Sequence, residues 1–227
     1  MMSPRFTPPV FINSRDQVTS LKKLVAWLET AGCDRIVILD NQSSYPPLLE
    51  FYESTPHRVI HLTENVGPDA LWKTGTLEAH CPDGRYVYTD PDVVPIEACP
   101  VDAIERLNDV LDRHPDLHKV GLGLYLDDLP DHYAHKPHVL AWEEKFWTQM
   151  IEPEVYAAPV ATTFAVYRGR GRNDESSART GYPYVARHCP WYSNSASLTD
   201  EERYYQDHAK YTIWTKTKLD PQFERKV

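Results

Sequence analysis

Cysteine is scarce in this 227-residue chain. The four present, Cys33, Cys81, Cys99 and Cys189, are scattered and form no Cys-x-x-Cys pair. Neither a zinc ribbon nor a disulfide framework is indicated. Long hydrophobic runs are missing too: none approaches the roughly 20 residues needed to span a bilayer. No apolar signal core follows Met1-Met2-Ser3-Pro4-Arg5. These absences set the expectation of a reduced, cytoplasmic, soluble protein with no membrane span. Basic charge is not in excess either. The formal net charge of −9 gives no support to a nucleic-acid-binding surface.

What is present is ordinary globular composition, 41% hydrophobic and 25% charged, in a chain long enough to bury a core. Fourteen tyrosines and six tryptophans suit a packed core first and a sugar-binding cleft second. No internal repeat and no second domain boundary is visible. Residues 1–227 therefore read as one domain.

The first ninety residues alternate between strand and helix patterns. Val10-Phe11-Ile12 is a short strand run. Val18, Leu21, Leu24, Val25 and Leu28 recur at helical spacing, and Ala31-Gly32 ends that helix. Arg35 to Asp40 reads as a buried strand, Pro46 to Tyr52 as a short helix, and Arg58 to Leu62 as a third strand. Asp69 to Ala79 is expected to be helical, and Tyr86 to Thr89 is a fourth strand. The alternation predicts an α/β fold with a mostly parallel central sheet flanked by helices.

Polar residues collect after each of these strands: Asn13 and Arg15, Asp40 and Asn41, Asn65, then Asp90 and Asp92. Open α/β sheets bind ligands at the carboxyl ends of their strands, so one cleft is expected there. Asp90-Pro91-Asp92 is the sharpest feature. Two carboxylates one residue apart at a strand end suit a hard divalent cation, and such a cation can neutralise a phosphate-bearing substrate.

The second half is less regular. Helices are expected over Val101 to His114, Ala141 to Trp147 and Glu201 to Lys210, and strands over Lys119 to Leu126 and Thr162 to Tyr167. Residues 169–181, rich in glycine, arginine and serine, read as a mobile loop.

Together, Asn13-Ser14-Arg15, Leu39-Asp40-Asn41, Asn65-Val66-Gly67 and Asp90-Pro91-Asp92 resemble the GT-A glycosyltransferases, particularly the family-2-like nucleotide-sugar enzymes. The resemblance covers residues 8–95 and implies a Rossmann-like GT-A domain. Residues 8–95 would be the nucleotide-sugar-binding half and 96–227 the acceptor-binding half. Asp40 would accept a hydrogen bond from the nucleotide base, flanked by Asn41. Arg15 would lie near the base or diphosphate. Asn65 and Gly67 would shape the floor, glycine allowing close backbone approach. Asp90 would face the ribose or a metal-bound water. Asp92 would ligate Mn²⁺ or Mg²⁺ through the donor diphosphate. The implied partners are a UDP- or GDP-sugar donor and a hydroxyl acceptor.

The same resemblance suggests a late metal ligand, for which His188 is the first candidate and His208 the second. A general base for the acceptor hydroxyl is sought in Glu143 or Glu144, between Trp142 and Trp147, where apolar walls would raise a carboxylate's pKa. Asp127 and Asp128 are the fallback. The Glu-Asp dipeptide common in family-2 enzymes is not recognisable here.

Two other classes compete. A haloacid-dehalogenase-like phosphatase would use Asp90 as nucleophile and Asp127-Asp128 as its magnesium pair. Only 35 residues separate Asp92 from Asp128, too few for the intervening units of such an enzyme, and three strands precede the motif. A non-catalytic sugar-nucleotide or glycan-binding module would bind donor without turnover. A nucleotidyltransferase should carry a glycine-rich loop after its first strand, and Asn13-Ser14-Arg15-Asp16 has no glycine.

Overall fold

The computed structural model describes residues 6–81, 84–160, 164–169 and 176–208. Strand β1 (Val10–Ser14) lies between β2 (Ile36–Asp40) and β4 (Arg85–Thr89), parallel to both. β3 (Arg58–His61) continues the parallel set outside β2. Beyond β4 comes β9 (Ala165–Arg168), antiparallel to β4 and to β6 (Lys119–Leu124). The long β10 (Ser177–His188) runs parallel to β6. β8 (Val155–Ala157) and β7 (Met150–Glu152) close that edge as antiparallel additions. The short β5 (Val93–Pro95) pairs antiparallel with the end of β10. The sheet order is β3-β2-β1-β4-β9-β6-β10-β8-β7. β1, β2, β3, β4, β6 and β10 point the same way, so the mostly parallel sheet expected from the alternation is present.

Side chains of a strand alternate between faces, and the buried residues split accordingly into two cores. Val10 and Ile12 face one core with Leu21, Leu24 and Leu28 of α1 (Val18–Thr30) and Leu107 and Leu111 of α5 (Ala103–Arg113). Phe11 faces the other with Leu71 of α3 (Ala70–Lys73), Leu77 of α4 (Thr76–His80) and three buried tyrosines. Two of those, Tyr86 and Tyr167, stack across β4 and β9 with ring centroids 5.1 Å apart. The remaining helices are α2 (Pro46–Ser54), α6 (Lys136–Glu143) and α7 (Asp200–His208). No helix among the described residues is long and apolar enough to cross a membrane.

Three expectations need correction. The helix predicted over 69–79 is two short helices, because Gly75 takes a left-handed φ of 71° and breaks the turn. The aromatic helix predicted over 141–147 is the end of α6 followed by a 3-10 turn, Glu144–Trp147. The mobile loop predicted over 169–181 does not extend to its end, since Ser177–Gly181 begin β10. Their polarity hides the strand: Ser177 Oγ donates to the Ala158 carbonyl (2.9 Å), and Thr180 Oγ1 donates to the Tyr184 carbonyl (2.6 Å). Residues 170–175 lie outside the described residues, as do Thr162 and Thr163 of the predicted strand and the end of the predicted C-terminal helix. β5, β7 and β8 were not anticipated. The Asp-x-Asp turn follows the fourth strand, whereas the phosphatase alternative needs it on the first.

Candidate active site

The turn Asp90-Pro91-Asp92 leaves β4 and enters β5. β5 pairs with the end of β10, so His188 lies opposite Val93 and the Cys189 amide donates to the Asp92 carbonyl at 2.8 Å. This pairing brings two residues 96 positions apart together: His188 Nε2 lies 3.8 Å from Asp92 Oδ2. Both side chains are about 15% exposed. The imidazole meets the Trp191 ring edge-on at 4.8 Å. Burial lowers the His188 pKa, against the opposing pull of the Asp92 charge, and so favours the neutral ligand form.

The 3.8 Å spacing lies between the two separations that an octahedral divalent ion imposes on its ligands, so a shared ion would need a small side-chain shift. With each ligand atom about 2.1 Å from the ion, neighbouring ligands lie about 3 Å apart and opposed ones about 4.2 Å. Among the described residues no group of three or more His, Cys, Asp or Glu side chains could hold a metal. The pair would therefore need ligand oxygens or water to complete a coordination shell.

A cleft of about 740 Å³ opens beside Asp92. Its walls include the start of α1, Tyr45, Asp128, Arg187 and Tyr192. Asp128 is held from two sides. Arg187 donates to it through Nε (2.9 Å) and through a second guanidinium nitrogen, and the Tyr192 hydroxyl donates to its other oxygen. Burial pushes the Asp128 pKa up, but these bonds and the Arg187 charge outweigh it and keep the carboxyl below its ordinary range.

Helix α7 forms the roof. The Glu201 carboxylate accepts from the Thr19 amide (3.1 and 3.2 Å) and the Thr19 hydroxyl (2.9 Å), at the open N-terminus of α1. Tyr204 packs its ring on Tyr45, and its hydroxyl donates to Ser44 Oγ at 3.0 Å. Arg15 donates to the His208 carbonyl at 3.4 Å. Tyr205 also lines the cleft, and its hydroxyl pKa is raised by burial and then by the negative charges of Asp92 and Asp90. No α7 residue is fully buried, and the roof is held by these polar contacts together with the Tyr204–Tyr45 ring contact.

The residues expected to meet the nucleotide are brought together at the ends of β1, β2 and β3, but they bond one another. Asp40 accepts from the Ser43 amide through one oxygen and lies 2.8 Å from His61 Nδ1 through the other. Asn41 donates to Asn13 Oδ1 (3.2 Å) and to the Gly67 carbonyl (2.9 Å), and accepts from the Val66 amide (2.9 Å). Asn65 accepts from the Gly67 amide at 3.0 Å, and Gly67 sits at a φ of 80° that favours glycine. Arg15 donates to the carbonyls of Asn41 (3.0 Å) and Gln42 (3.2 Å). Asp16, not singled out from sequence, accepts from the amides of Ser44 (2.6 Å) and Tyr45 (2.9 Å) and fixes the entry to α2.

The predicted base candidates are not brought to Asp92. Glu143 is buried in an ion pair with Arg179 at 2.7 Å, and the Arg179 guanidinium lies 4.3 Å from the Phe146 ring. Burial raises the Glu143 pKa as the aromatic flanks suggested, but Arg179 pulls it back. Glu144 is exposed and lines a separate hollow with Asp127. His208 stacks on Tyr204 at 4.0 Å. Of the fallback pair, Asp128 does face the cleft. Arg187 and Tyr192 were missed because nothing local marks them; they matter only through β10 and its following turn.

No protein-family model matches the chain, and neither does any curated protein sequence. Solved structures do. The mannosyltransferase PcManGT from Pyrobaculum calidifontis, in complex with GDP-Man and Mn²⁺, matches over 98% of this chain and 68% of its own at a TM-score of 0.52 and 15% identity. The chain has the GT-A fold. UDP-glucose pyrophosphorylase in its apo form shares it, matching 90% of this chain and 100% of its own at a TM-score of 0.50 and 8% identity. Glucosyl-3-phosphoglycerate synthase from Mycobacterium tuberculosis matches at a TM-score of 0.45 and 14% identity, and the chain spans 57% of its length. Within this GT-A fold, Asp92 follows β4 at the carboxyl end of the parallel strands and lines the cleft.

Proposed function

We propose that the protein transfers a sugar from a nucleoside diphosphate donor, a UDP- or GDP-sugar, to a hydroxyl acceptor with the help of a divalent cation. The observation that carries this reading is the Asp92–His188 pair, 3.8 Å apart beside a cleft at the carboxyl end of a GT-A sheet. The mannosyltransferase of the same fold was solved with GDP-Man and Mn²⁺, which supports both the donor class and the metal.

Asp92 and His188 would hold Mn²⁺ or Mg²⁺, which supplies neutralisation of the charge growing on the leaving diphosphate. Asp90, next to Asp92, would face the donor ribose or a metal-bound water. Arg15, Asp40, Asn41, Asn65 and Gly67 serve the nucleotide through backbone shape, because the four side chains and the Gly67 backbone already fix the loops after β1, β2 and β3. Asp128 replaces Glu143 and Glu144 as the base, since it alone of the acids weighed for that role lines the cleft with Asp92. Its carboxylate takes the acceptor O–H proton as that oxygen bonds the anomeric carbon. The bond from that carbon to the phosphate oxygen breaks, and its electron pair leaves with the nucleoside diphosphate.

The test is release of nucleoside diphosphate from a panel of UDP- and GDP-sugars, with Mn²⁺ and with chelator. Metal-dependent release from one donor is expected. Pyrophosphate-dependent formation of a nucleoside triphosphate would instead identify nucleotidyl transfer, and saturable binding without any product would identify a binding module.

A further inference from the structure

A second hollow of about 360 Å³ shares Asp128 and Arg187 with the Asp92 cleft. The ion pair is thus a partition with an opening on each side. The far side is walled by Tyr125, Tyr182, Ile96 and Glu97. The two tyrosine rings lie 6.3 Å apart, tilted by 35°, and form an angled platform. Tyr182 is 58% exposed, the highest value among the exposed large hydrophobic side chains of the described residues.

That exposure is built in. The register of β10 against β6 jumps between Thr180 and Val185, so residues 181–184 bulge out of the strand. Both ends of the bulge are pinned. The Gly181 amide donates to the Glu154 carbonyl at 2.7 Å, and a Cβ at Gly181 would stand 2.2 Å from Glu154 Oε2. At the other end the Tyr184 hydroxyl donates to Asp102 at 3.2 Å, while Thr180 holds the Tyr184 carbonyl. The bulge therefore presents Tyr182 from a fixed frame.

We propose that this hollow is a subsite for a neutral pyranose ring, the acceptor. A pyranose has an apolar C–H face and a rim of hydroxyls. The tyrosine platform offers an open aromatic surface to the first. Glu97 and Asp128 offer acceptors and Arg187 offers donors to the second, the arrangement of a few polar groups around an apolar wall that fixes a ligand's orientation. Two carboxylates against one guanidinium leave the rim net negative, which disfavours an anionic acceptor. A hydroxyl directed past the platform reaches Asp128, which also borders the cleft with Asp92. Naming the ring as acceptor rests on the proposed transfer reaction; its binding does not.

The experiment is saturation-transfer NMR without nucleotide or metal, using methyl α-glycosides of mannose, glucose and galactose, with glycerol as the control that lacks a ring. The expected result is saturation of the C–H face of at least one glycoside and none of glycerol. Tyr182→Ala should weaken that signal about tenfold, Tyr182→Phe should keep it, and neither should alter the melting temperature at so exposed a position. No glycoside signal, or the same signal in Tyr182→Ala, overturns the subsite. Glycoside binding at Tyr182 in a protein that turns over no sugar nucleotide upholds the subsite and refutes the proposed reaction. Donor turnover with no glycoside binding does the reverse.

Discussion

The ends of β1, β2 and β3 and the junction of β5 with β10 carry similar residue types and treat them differently. In the first region Asp40, Asn41, Asn65 and Asp16 spend their hydrogen-bonding capacity on backbone groups and on the side chains of Asn13 and His61. In the second, Asp92 and Asp128 line a cleft, with His188 beside Asp92 and with Asp128 held by Arg187 and Tyr192. A carboxylate whose oxygens are taken up by turn amides shapes a floor. A carboxylate backed by a strand pair and facing a cavity can meet a ligand. The polar strand ends of the first region thus serve the architecture, and the proposed reaction places its chemistry where the two halves of the chain meet.

Substitutions should separate the regions cleanly. Asp92→Ala is expected to have the largest effect, lowering transfer at least about a thousandfold and abolishing metal-dependent donor binding while the fold persists. Retained metal-dependent binding in a calorimetric titration would place the cation elsewhere. Asp128→Asn should follow, with kcat down about a hundredfold to a thousandfold and donor binding unchanged. An equal loss in Glu143→Gln at unchanged stability would restore that residue as the base.

In the first region the effect should be on stability. Asn41→Ala removes three side-chain hydrogen bonds and strands buried partners, at a cost of about 2–3 kcal/mol in denaturant unfolding. Gly67→Ala meets no atom within 4 Å, so its cost is the left-handed backbone alone, about 1 kcal/mol. If either substitution abolished donor binding without changing stability, the division between floor and chemistry would fail.

The smallest effect concerns pH. Arg187 helps hold the Asp128 pKa below its ordinary range. A base with a depressed pKa stays ionised further into acid, and activity is lost only as pH falls through that depressed value. Arg187→Ala should raise the pKa, moving the acid limb of the kcat–pH profile upward. A limb that did not move would separate Asp128 from proton transfer.

Much of the first half was legible in the sequence. Strands buried on both faces read as apolar runs, and α1 showed its buried stripe as Val18, Leu21, Leu24, Val25 and Leu28. The polar strand ends were visible too, but not most of their bonding, because many of the partners lie more than 20 residues away, as His61 does from Asp40 and Gly67 from Asn41. Glu143 shows the same limit. Its aromatic neighbours signalled burial correctly, but Arg179, 36 residues on, takes the carboxylate. The first part of β10 was obscured by composition: Ser177, Arg179 and Thr180 are buried with their polar groups satisfied, and such a strand has no hydrophobic alternation to read. β5 is only three residues long, yet it sets His188 beside Asp92. Pairing of that kind is a property of the folded sheet.

The most direct test is thermal unfolding of the wild type and of His188→Ala with UDP or GDP, each with and without Mn²⁺. A ligand that binds the native state at about a hundred times its Kd stabilises by about 2.7 kcal/mol. One diphosphate should raise the wild-type melting temperature only when Mn²⁺ is present, and His188→Ala should lose most of that rise. Stabilisation that ignores Mn²⁺, or that survives intact in His188→Ala, would contradict a metal-diphosphate site at Asp92 and His188.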